Sequence, residues 1–223
     1  MEKNSKFSAW FKKYGYLLWG LYLPVYLISF FIVEKLVPES VQWFDTATAI
    51  DSYIPFCEWM VFPYVLWFPF MGAVGLYTAL TDKNAFRRMA MFMIISFGTC
   101  IILFPIFPNG QSLRPDLAAL GRSNIATWLV NRLYSADTCT NVFPSIHVVG
   151  SFMAFFGIAD TKLGRNKVIY YSSLLLTLII TASTCYVKQH AFIDILSGLI
   201  WTFICYIIVY VVIRKIMIKK NIG

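Results

Sequence analysis

Long apolar stretches alternate with short polar connections along the whole chain. A transmembrane helix needs about 20 mainly apolar residues. Six stretches are close to that length, at residues 16–33, 59–80, 89–107, 144–160, 168–186 and 190–213. The pattern therefore predicts an all-α polytopic membrane protein with six transmembrane helices. Because most residues fall in these stretches, we expect a single membrane domain over residues 1–223.

The connection after the first apolar stretch, residues 34–58, has a different character. It mixes acidic with aromatic side chains, among them Glu34, Trp43, Phe44, Asp51 and Glu58. These charges interrupt the segment too often for it to cross a bilayer. Such a mixture is typical of a segment that lies in the membrane interface, so we predict an interfacial helix after the first span.

The composition agrees with this class of protein. Hydrophobic residues make up 59% of the chain and charged residues 13%, whereas a soluble domain carries about 25% charged residues. The formal net charge of +8 raises the question of a nucleic-acid partner. The positions of the charges argue against one, because the basic residues lie in short clusters between apolar stretches.

The separation of lysine and arginine between alternate connections predicts the orientation. Fourteen of the nineteen lie in the two terminal segments and in the connections near residues 82–88 and 161–167. The other five are Lys35, Arg114, Arg122, Arg132 and Lys188. Cytoplasmic connections carry the excess of positive charge. Both termini are therefore expected in the cytoplasm, and the connections that precede the fourth and sixth stretches face outward.

The five cysteines do not predict a metal site. They show no close spacing, and with two histidines they make a poor set of metal ligands. We therefore expect neither a metal ion nor a cofactor. Cys139 and Cys185 both fall on the predicted outward side, where a disulfide forms only in an oxidising compartment and at the right geometry. Their pairing stays open at this point.

The two histidines of the chain, His147 and His190, each lie where an outward-facing connection meets an apolar stretch. An ionisable group at a membrane boundary is a candidate functional residue. Asp194 follows His190 by four residues, the spacing that brings two side chains to one face of a helix. Such a carboxylate orients an imidazole and frees its second nitrogen as nucleophile or base. An interfacial structural pair is the alternative.

Pro144, Ser145 and His147 stand at the start of the fourth apolar stretch. Proline suits the first turn of a helix, with Thr140 or Asn141 as the cap. The free N–H groups of such a turn bind phosphate well, and Ser145 adds a hydroxyl group. An ordinary helix start that carries an interfacial histidine is the alternative.

Two basic residues near these runs are candidate phosphate ligands. Arg114, followed by Pro115, lies in the long connection before the fourth stretch. A guanidinium group matches phosphate oxygens two at a time. Lys188, two residues before His190, is placed to reach a charged group of a substrate.

Together these residues resemble the motifs of the type 2 phosphatidic acid phosphatase superfamily, which are Lys-x6-Arg-Pro, Pro-Ser-Gly-His and Ser-Arg-x5-His-x3-Asp. The six-span layout is similar, and the matching positions are Arg114, Pro115, Pro144, Ser145, His147, Ser183, His190 and Asp194. The chain departs at three motif positions, which hold Phe107, Ile146 and Thr184. Residues 143–147 and 188–194 resemble more closely the branch that contains inositol phosphorylceramide synthases.

The resemblance implies a mechanism for these residues. His190 attacks phosphorus to form a phosphohistidine while Asp194 holds its ring, and His147 protonates the leaving group and later activates the acceptor. The phosphate is held by Arg114, by Lys188 and by backbone amides near Ser145. No metal ion takes part.

Three functions fit this interpretation. The leading one is a membrane phosphatase that hydrolyses a lipid phosphate or diphosphate at the outer leaflet. The second is a lipid headgroup phosphotransferase of the inositol phosphorylceramide synthase type, in which a hydroxyl-bearing lipid replaces water. The third is a non-enzymatic transporter or scaffold on the same fold, since a fold alone does not fix a function. The expected partners are a lipid phosphate substrate and membrane lipids, without nucleic acid.

Overall fold

The computed structural model describes residues 10–37 and 39–219, and most of these residues are helical. In chain order the helices are α1 Trp10–Leu36, α2 Glu58–Thr81, α3 Lys83–Ile106, α4 Ile125–Ala136, α5 Ile146–Ala159, α6 Lys167–Tyr186 and α7 Phe192–Met217. Two short strands, β1 Phe44–Asp45 and β2 Asn109–Gly110, pair in parallel. The topology prediction also counted terminal lysines that lie outside the described residues, namely Lys3, Lys6 and Lys220.

Five helices, α1, α2, α3, α6 and α7, are long and apolar enough to cross a membrane, with 20 to 27 residues each. An all-α protein with apolar helices of membrane-spanning length is therefore confirmed. The remaining predicted span corresponds to α5, which has 14 residues. At 1.5 Å per residue it is about 21 Å long, shorter than the hydrocarbon core of a bilayer.

Helix α5 is the centre of the helical bundle and packs against α2, α3, α6 and α7. Ten of its residues are buried, and two of them are glycines that face α2. A Cβ atom added at Gly150 would lie 2.7 Å from the Trp67 ring of α2, and one added at Gly157 would lie 3.0 Å from Val74. Glycine thus lets the backbone of α5 approach α2 closely, as is common between membrane helices.

Gly198 allows the same close approach between α7 and α5. A Cβ atom there would lie 3.0 Å from Val148 Cβ and 3.1 Å from the Ser145 carbonyl oxygen. We expect Gly198→Ala to lower the stability by about 1–3 kcal/mol, the usual cost of overpacking. The measurement is thermal unfolding in detergent, with Gly75→Ala as control, because a Cβ at Gly75 meets nothing within 4 Å. Equal melting temperatures for the two variants would contradict this packing.

The interfacial helix predicted after the first span is not confirmed in the connection between α1 and α2. Its described residues hold β1 and a short 3-10 helix at Ala49–Tyr53. In this helix the buried Asp51 carboxylate accepts hydrogen bonds from the Thr48 N–H at 2.8 Å and the Phe192 N–H at 2.7 Å. These bonds fold the segment against the start of α7. An amphipathic helix is found in the next long connection, as α4.

The cysteines form no disulfide, and all five are free. The open question of a Cys139–Cys185 bridge is therefore answered in the negative. The two residues are held in different surroundings: the Cys139 N–H donates to Glu39 Oε1 at 3.1 Å, while Cys185 is buried in α6 beside Val148 and Ile195.

Candidate active site

The two histidines, 43 residues apart in the chain, are in direct contact. His190 Nε2 lies 3.3 Å from His147 Nδ1, and the ring planes are inclined at 64°. His147 is the second residue of α5, and His190 lies in the turn between α6 and α7. The packing of α7 on α5 therefore brings together the two residues that the sequence analysis paired.

Asp194 stands behind His190, as its spacing predicts. Its Oδ2 atom lies 3.6 Å from His190 Nδ1 and also accepts the Ala191 N–H at 2.8 Å. The local structure differs from the prediction, because α7 begins at Phe192 and not at His190. Asp194 occupies the first turn of α7, and its carboxylate faces back toward the preceding turn.

One assignment of protons fits both contacts of the His190 ring. A proton on Nδ1 faces the Asp194 carboxylate at 3.6 Å, beyond hydrogen-bond distance, and the Nε2 lone pair accepts the Nδ1 proton of His147. In this assignment His190 Nε2 is unprotonated, and its lone pair becomes available to a substrate when His147 turns away, as a nucleophile requires. His147 holds the proton nearest to that nitrogen.

Ser145 begins α5 in a way that the sequence did not indicate. Helix α5 starts at Ile146, and its cap is Ser145, whose Oγ atom accepts the Val148 N–H at 3.4 Å. The predicted start at Pro144 with a cap at Thr140 or Asn141 was wrong. The Ser145 N–H donates to the Asp194 carbonyl oxygen at 3.1 Å, so this residue joins the two helices that carry the site.

The ring of His147 is enclosed by two aromatic residues of α2 that the sequence analysis did not single out. The Tyr64 ring centroid lies 4.5 Å from that of His147, and the Trp67 centroid lies 4.6 Å away. Both side chains are buried. No local signal marked them, because aromatic residues are common throughout the apolar stretches.

Lys188, which was predicted to bind the substrate phosphate, has its ammonium group bound to backbone carbonyl groups. The residue follows the end of α6 in the left-handed region, with φ of 54°. Its Nζ atom donates to the carbonyl oxygens of Asp51 at 3.1 Å and Ile54 at 2.5 Å. Lys188 thus ties the α6–α7 turn to the connection after α1, and a contact with phosphate would require it to leave both carbonyl groups.

Arg114 lies beside the histidine turn, where it is largely bound to the protein. Its Nη2 atom donates to Gln189 Oε1 at 2.5 Å and to the Asp137 carbonyl oxygen at 2.7 Å. The guanidinium group also stacks over the Tyr134 ring at 4.4 Å. These contacts hold Arg114, the predicted phosphate ligand, against Gln189, the residue that precedes His190.

Asp137, at the end of α4, is a second carboxylate of the site that the motifs do not include. Its Oδ2 atom accepts hydrogen bonds from Gln189 Nε2 at 3.0 Å and Tyr64 Oη at 3.2 Å. Burial raises the pKa of this carboxyl group, and the charges of His190 and Arg114 act in the opposite direction. Only its place in a polar connection that is predicted to face outward could have drawn attention to it.

Several buried polar atoms around the pair have no hydrogen-bond partner within the described chain. They are His147 Nε2, His190 Nδ1, Asp194 Oδ1 and Arg114 Nε. Such atoms are rare in folded proteins and are often found at functional sites. Their concentration around one pair of rings marks this place as the candidate active site.

An apolar groove of about 400 Å³ lies next to the site, between α3 and α7. It is lined by Thr99, Cys100, Leu103, Phe143, Pro144, Ser197, Ile200 and Trp201. Pro144 directly precedes Ser145, and the Ser197 hydroxyl donates to the Asp194 carbonyl oxygen at 2.9 Å. The groove therefore reaches residues close in sequence to the site, while His147, His190 and Asp194 do not line it.

The described residues contain no group of three or more His, Cys, Asp and Glu side chains arranged to hold a metal ion. Comparison with protein-family models, with curated proteins and with solved structures finds no match to this chain.

Proposed function

We propose that this protein is a membrane phosphatase that hydrolyses a lipid phosphate or diphosphate through a phosphohistidine. The observation that carries the proposal is the contact of His190 Nε2 with His147 Nδ1 at 3.3 Å, with the Asp194 carboxylate 3.6 Å behind His190 Nδ1. A nucleophile, a proton donor and an orienting carboxylate are the three groups that covalent phosphoryl transfer needs. The resemblance to the type 2 phosphatidic acid phosphatase superfamily supports the same assignment.

In the first step the His190 Nε2 lone pair attacks phosphorus. The new N–P bond forms as the bond from phosphorus to the leaving oxygen breaks. The leaving oxygen takes a proton from His147 in its imidazolium form, which becomes a neutral imidazole and exchanges its contact with His190 for one with the substrate. The Asp194 carboxylate stabilises the positive charge that develops on the His190 ring.

In the second step the acceptor regenerates the enzyme. Water gives a proton to the neutral His147, its oxygen attacks phosphorus, and the N–P bond breaks. Inorganic phosphate leaves and both imidazoles return to their original protonation. Throughout, the transition-state charge is stabilised by Arg114 and by the N–H groups of Ile146 and His147 at the start of α5.

For the membrane arrangement we propose six spans, with α5 as the short fourth one. Lysine and arginine are concentrated in the terminal segments and in alternate connections, which predicts that both termini lie in the cytoplasm. The histidine pair then lies at the outer leaflet. The connection after α1 takes the interfacial position, with its short 3-10 helix Ala49–Tyr53 held by Asp51.

The apolar groove supports a lipid as the substrate, because its volume suits part of an acyl or prenyl chain. Leu103 lines it, whereas the neighbouring Ile102 is exposed on the outside of α3. We expect Leu103→Trp to lower the ratio of the rates on long-chain and short-chain lipid phosphates about tenfold. Ile102→Trp is the matched control and should leave the ratio unchanged. An equal ratio in both variants would exclude the groove as the chain site.

The burial of His190 favours a second candidate, transfer to a lipid alcohol. His190 is 6% exposed, and Asp194 and Ser145 are fully buried, so the surrounding protein limits the access of bulk water to Nε2. A lipid hydroxyl group delivered from the membrane would then take the place of water in the second step.

One experiment separates the two candidates. The purified protein is given phosphatidate, phosphatidylglycerol phosphate or a polyprenyl diphosphate, each with and without a lipid alcohol. Phosphate release from a lipid phosphate alone is expected for the phosphatase. New lipid products that depend on the alcohol would favour transfer, and the absence of both products on every substrate would refute the two candidates together.

A further inference from the structure

The position of Asp137 links residues that contact both histidines. It follows α4, outside the motifs that carry the resemblance, and a single oxygen, Oδ2, accepts two hydrogen bonds. One donor is the side chain of Gln189, the residue before His190. The other is the hydroxyl group of Tyr64, whose ring packs on His147.

The connection to His190 runs through Gln189. Its amide Nε2 donates to Asp137 at 3.0 Å, and its Oε1 accepts from Arg114 Nη2 at 2.5 Å. Both ends of the amide are therefore fixed. The main chain is fixed as well, because the N–H groups of Gln189 and His190 donate to the Thr184 carbonyl oxygen at 3.0 and 3.2 Å. The turn that carries His190 thus has little freedom while Asp137 holds Gln189.

The connection to His147 runs through Tyr64. This side chain is fully buried, and its hydroxyl group bonds to Asp137 at 3.2 Å. Its ring lies 4.5 Å from the His147 ring, with Trp67 near the same imidazole. The Asp137 bond fixes the tyrosine ring, and the tyrosine ring limits the rotation of His147.

We infer that Asp137 is a positioning residue of this site, which holds both imidazoles through Gln189 and Tyr64 and supplies the second negative charge beside them. The inference rests on the proposed function, in which these imidazoles exchange protons with substrate and acceptor. Asp137 touches neither histidine directly, so it acts on their alignment and charge and does not take part in bond making.

The charged and titratable groups that meet the pair come from several elements. Asp194 lies on α7, Tyr64 on α2, Asp137 after α4, and Arg114 in the connection before α4. Asp51 meets the start of α7 from the connection after α1, and Lys188 lies in the α6–α7 turn itself, with its Nζ atom bonded to the Asp51 carbonyl oxygen. Removing the Asp137 charge makes an imidazolium less stable, so the imidazoles should lose their protons at lower pH.

The experiment uses a favourable feature of the chain, which has only two histidines. An untagged protein labelled with ¹⁵N-histidine shows just these two imidazoles by NMR. In Asp137→Asn we expect their titration midpoints to fall by about one pH unit. The acid limb of the pH–rate profile should move in the same direction, with kcat about tenfold lower. Asparagine still accepts both hydrogen bonds, so this variant isolates the charge.

Asp116→Asn is the matched control, because Asp116 is an exposed aspartate in the connection before α4. The titration midpoints of the two imidazoles in this variant should equal those of the wild type. The double variant Tyr64→Phe with Gln189→Met keeps the Asp137 charge but breaks both contacts. It should lower kcat with a smaller change in the midpoints. If Asp137→Asn and Asp116→Asn titrate alike, the inference is overturned. Shifted midpoints in a protein without phosphatase or transferase activity would instead overturn the proposed function alone.

Discussion

Replacement of His190 by alanine is expected to lower kcat by about 10⁴-fold or more. The variant lacks the nitrogen that forms the N–P bond in the proposed mechanism, and His147 Nδ1 faces no second base. The fold should survive, because the α6–α7 turn is held by main-chain bonds to Thr184 that do not involve the imidazole. Size-exclusion chromatography and thermal unfolding of the purified variant check this point.

Trapping of the intermediate makes the assignment of His190 specific. Brief reaction with a ³²P-labelled lipid phosphate should label the wild-type protein with an acid-labile phosphoryl group, and His190→Ala should carry no label. His147→Ala is the matched control. With a leaving group of low pKa, which needs no proton, this variant should still become labelled, since it retains the nucleophile. Labelling of His190→Ala would show that another residue attacks phosphorus.

Replacement of Asp194 by asparagine is expected to lower kcat by about 10³-fold. The change keeps the size of the side chain, and an amide N–H that takes the place of Oδ2 beside His190 Nδ1 gives up the bond from the Ala191 N–H. It removes the charge that stabilises the imidazolium. An amide N–H facing His190 Nδ1 also favours the tautomer with the proton on Nε2, and that tautomer has no lone pair for the attack.

The ¹⁵N-histidine spectrum again gives a readout besides the rate. Wild-type His190 should show a protonated Nδ1 and a free Nε2 at neutral pH, and Asp194→Asn should show the opposite tautomer. A large loss of rate with an unchanged tautomer would mean that Asp194 acts through the charge alone. A full rate in this variant would remove Asp194 from the mechanism.

The helices could be predicted from the sequence because their signal is local. Apolar residues run for a membrane thickness at each predicted span, and the structure has a helix at every one. The length of α5, in contrast, could not be predicted from the sequence. The apolar stretch at residues 144–160 gives no sign that its first two residues stay outside the helix, since that depends on the bond from the Ser145 N–H to Asp194.

The site was predictable only as far as its residues stand out in composition. The two histidines, and an aspartate four residues after the second one, are easily recognised in a chain with few ionisable residues. Tyr64, Gln189 and Asp137 do not, because each is an ordinary residue for its segment. Lys188 looked suitable for a phosphate by its distance in sequence, but the left-handed turn after α6 sends its side chain to Asp51 and Ile54.

By itself, therefore, the sequence determined which segments are apolar helices and which few ionisable residues interrupt them, since both follow from the cost of putting polar groups into hydrocarbon. Only the tertiary structure decided that His147 meets His190 and that Asp137 stands behind both. Those contacts join residues 43 to 73 positions apart. They depend on how closely α7 and α2 approach α5, which the glycines at the helix contacts permit.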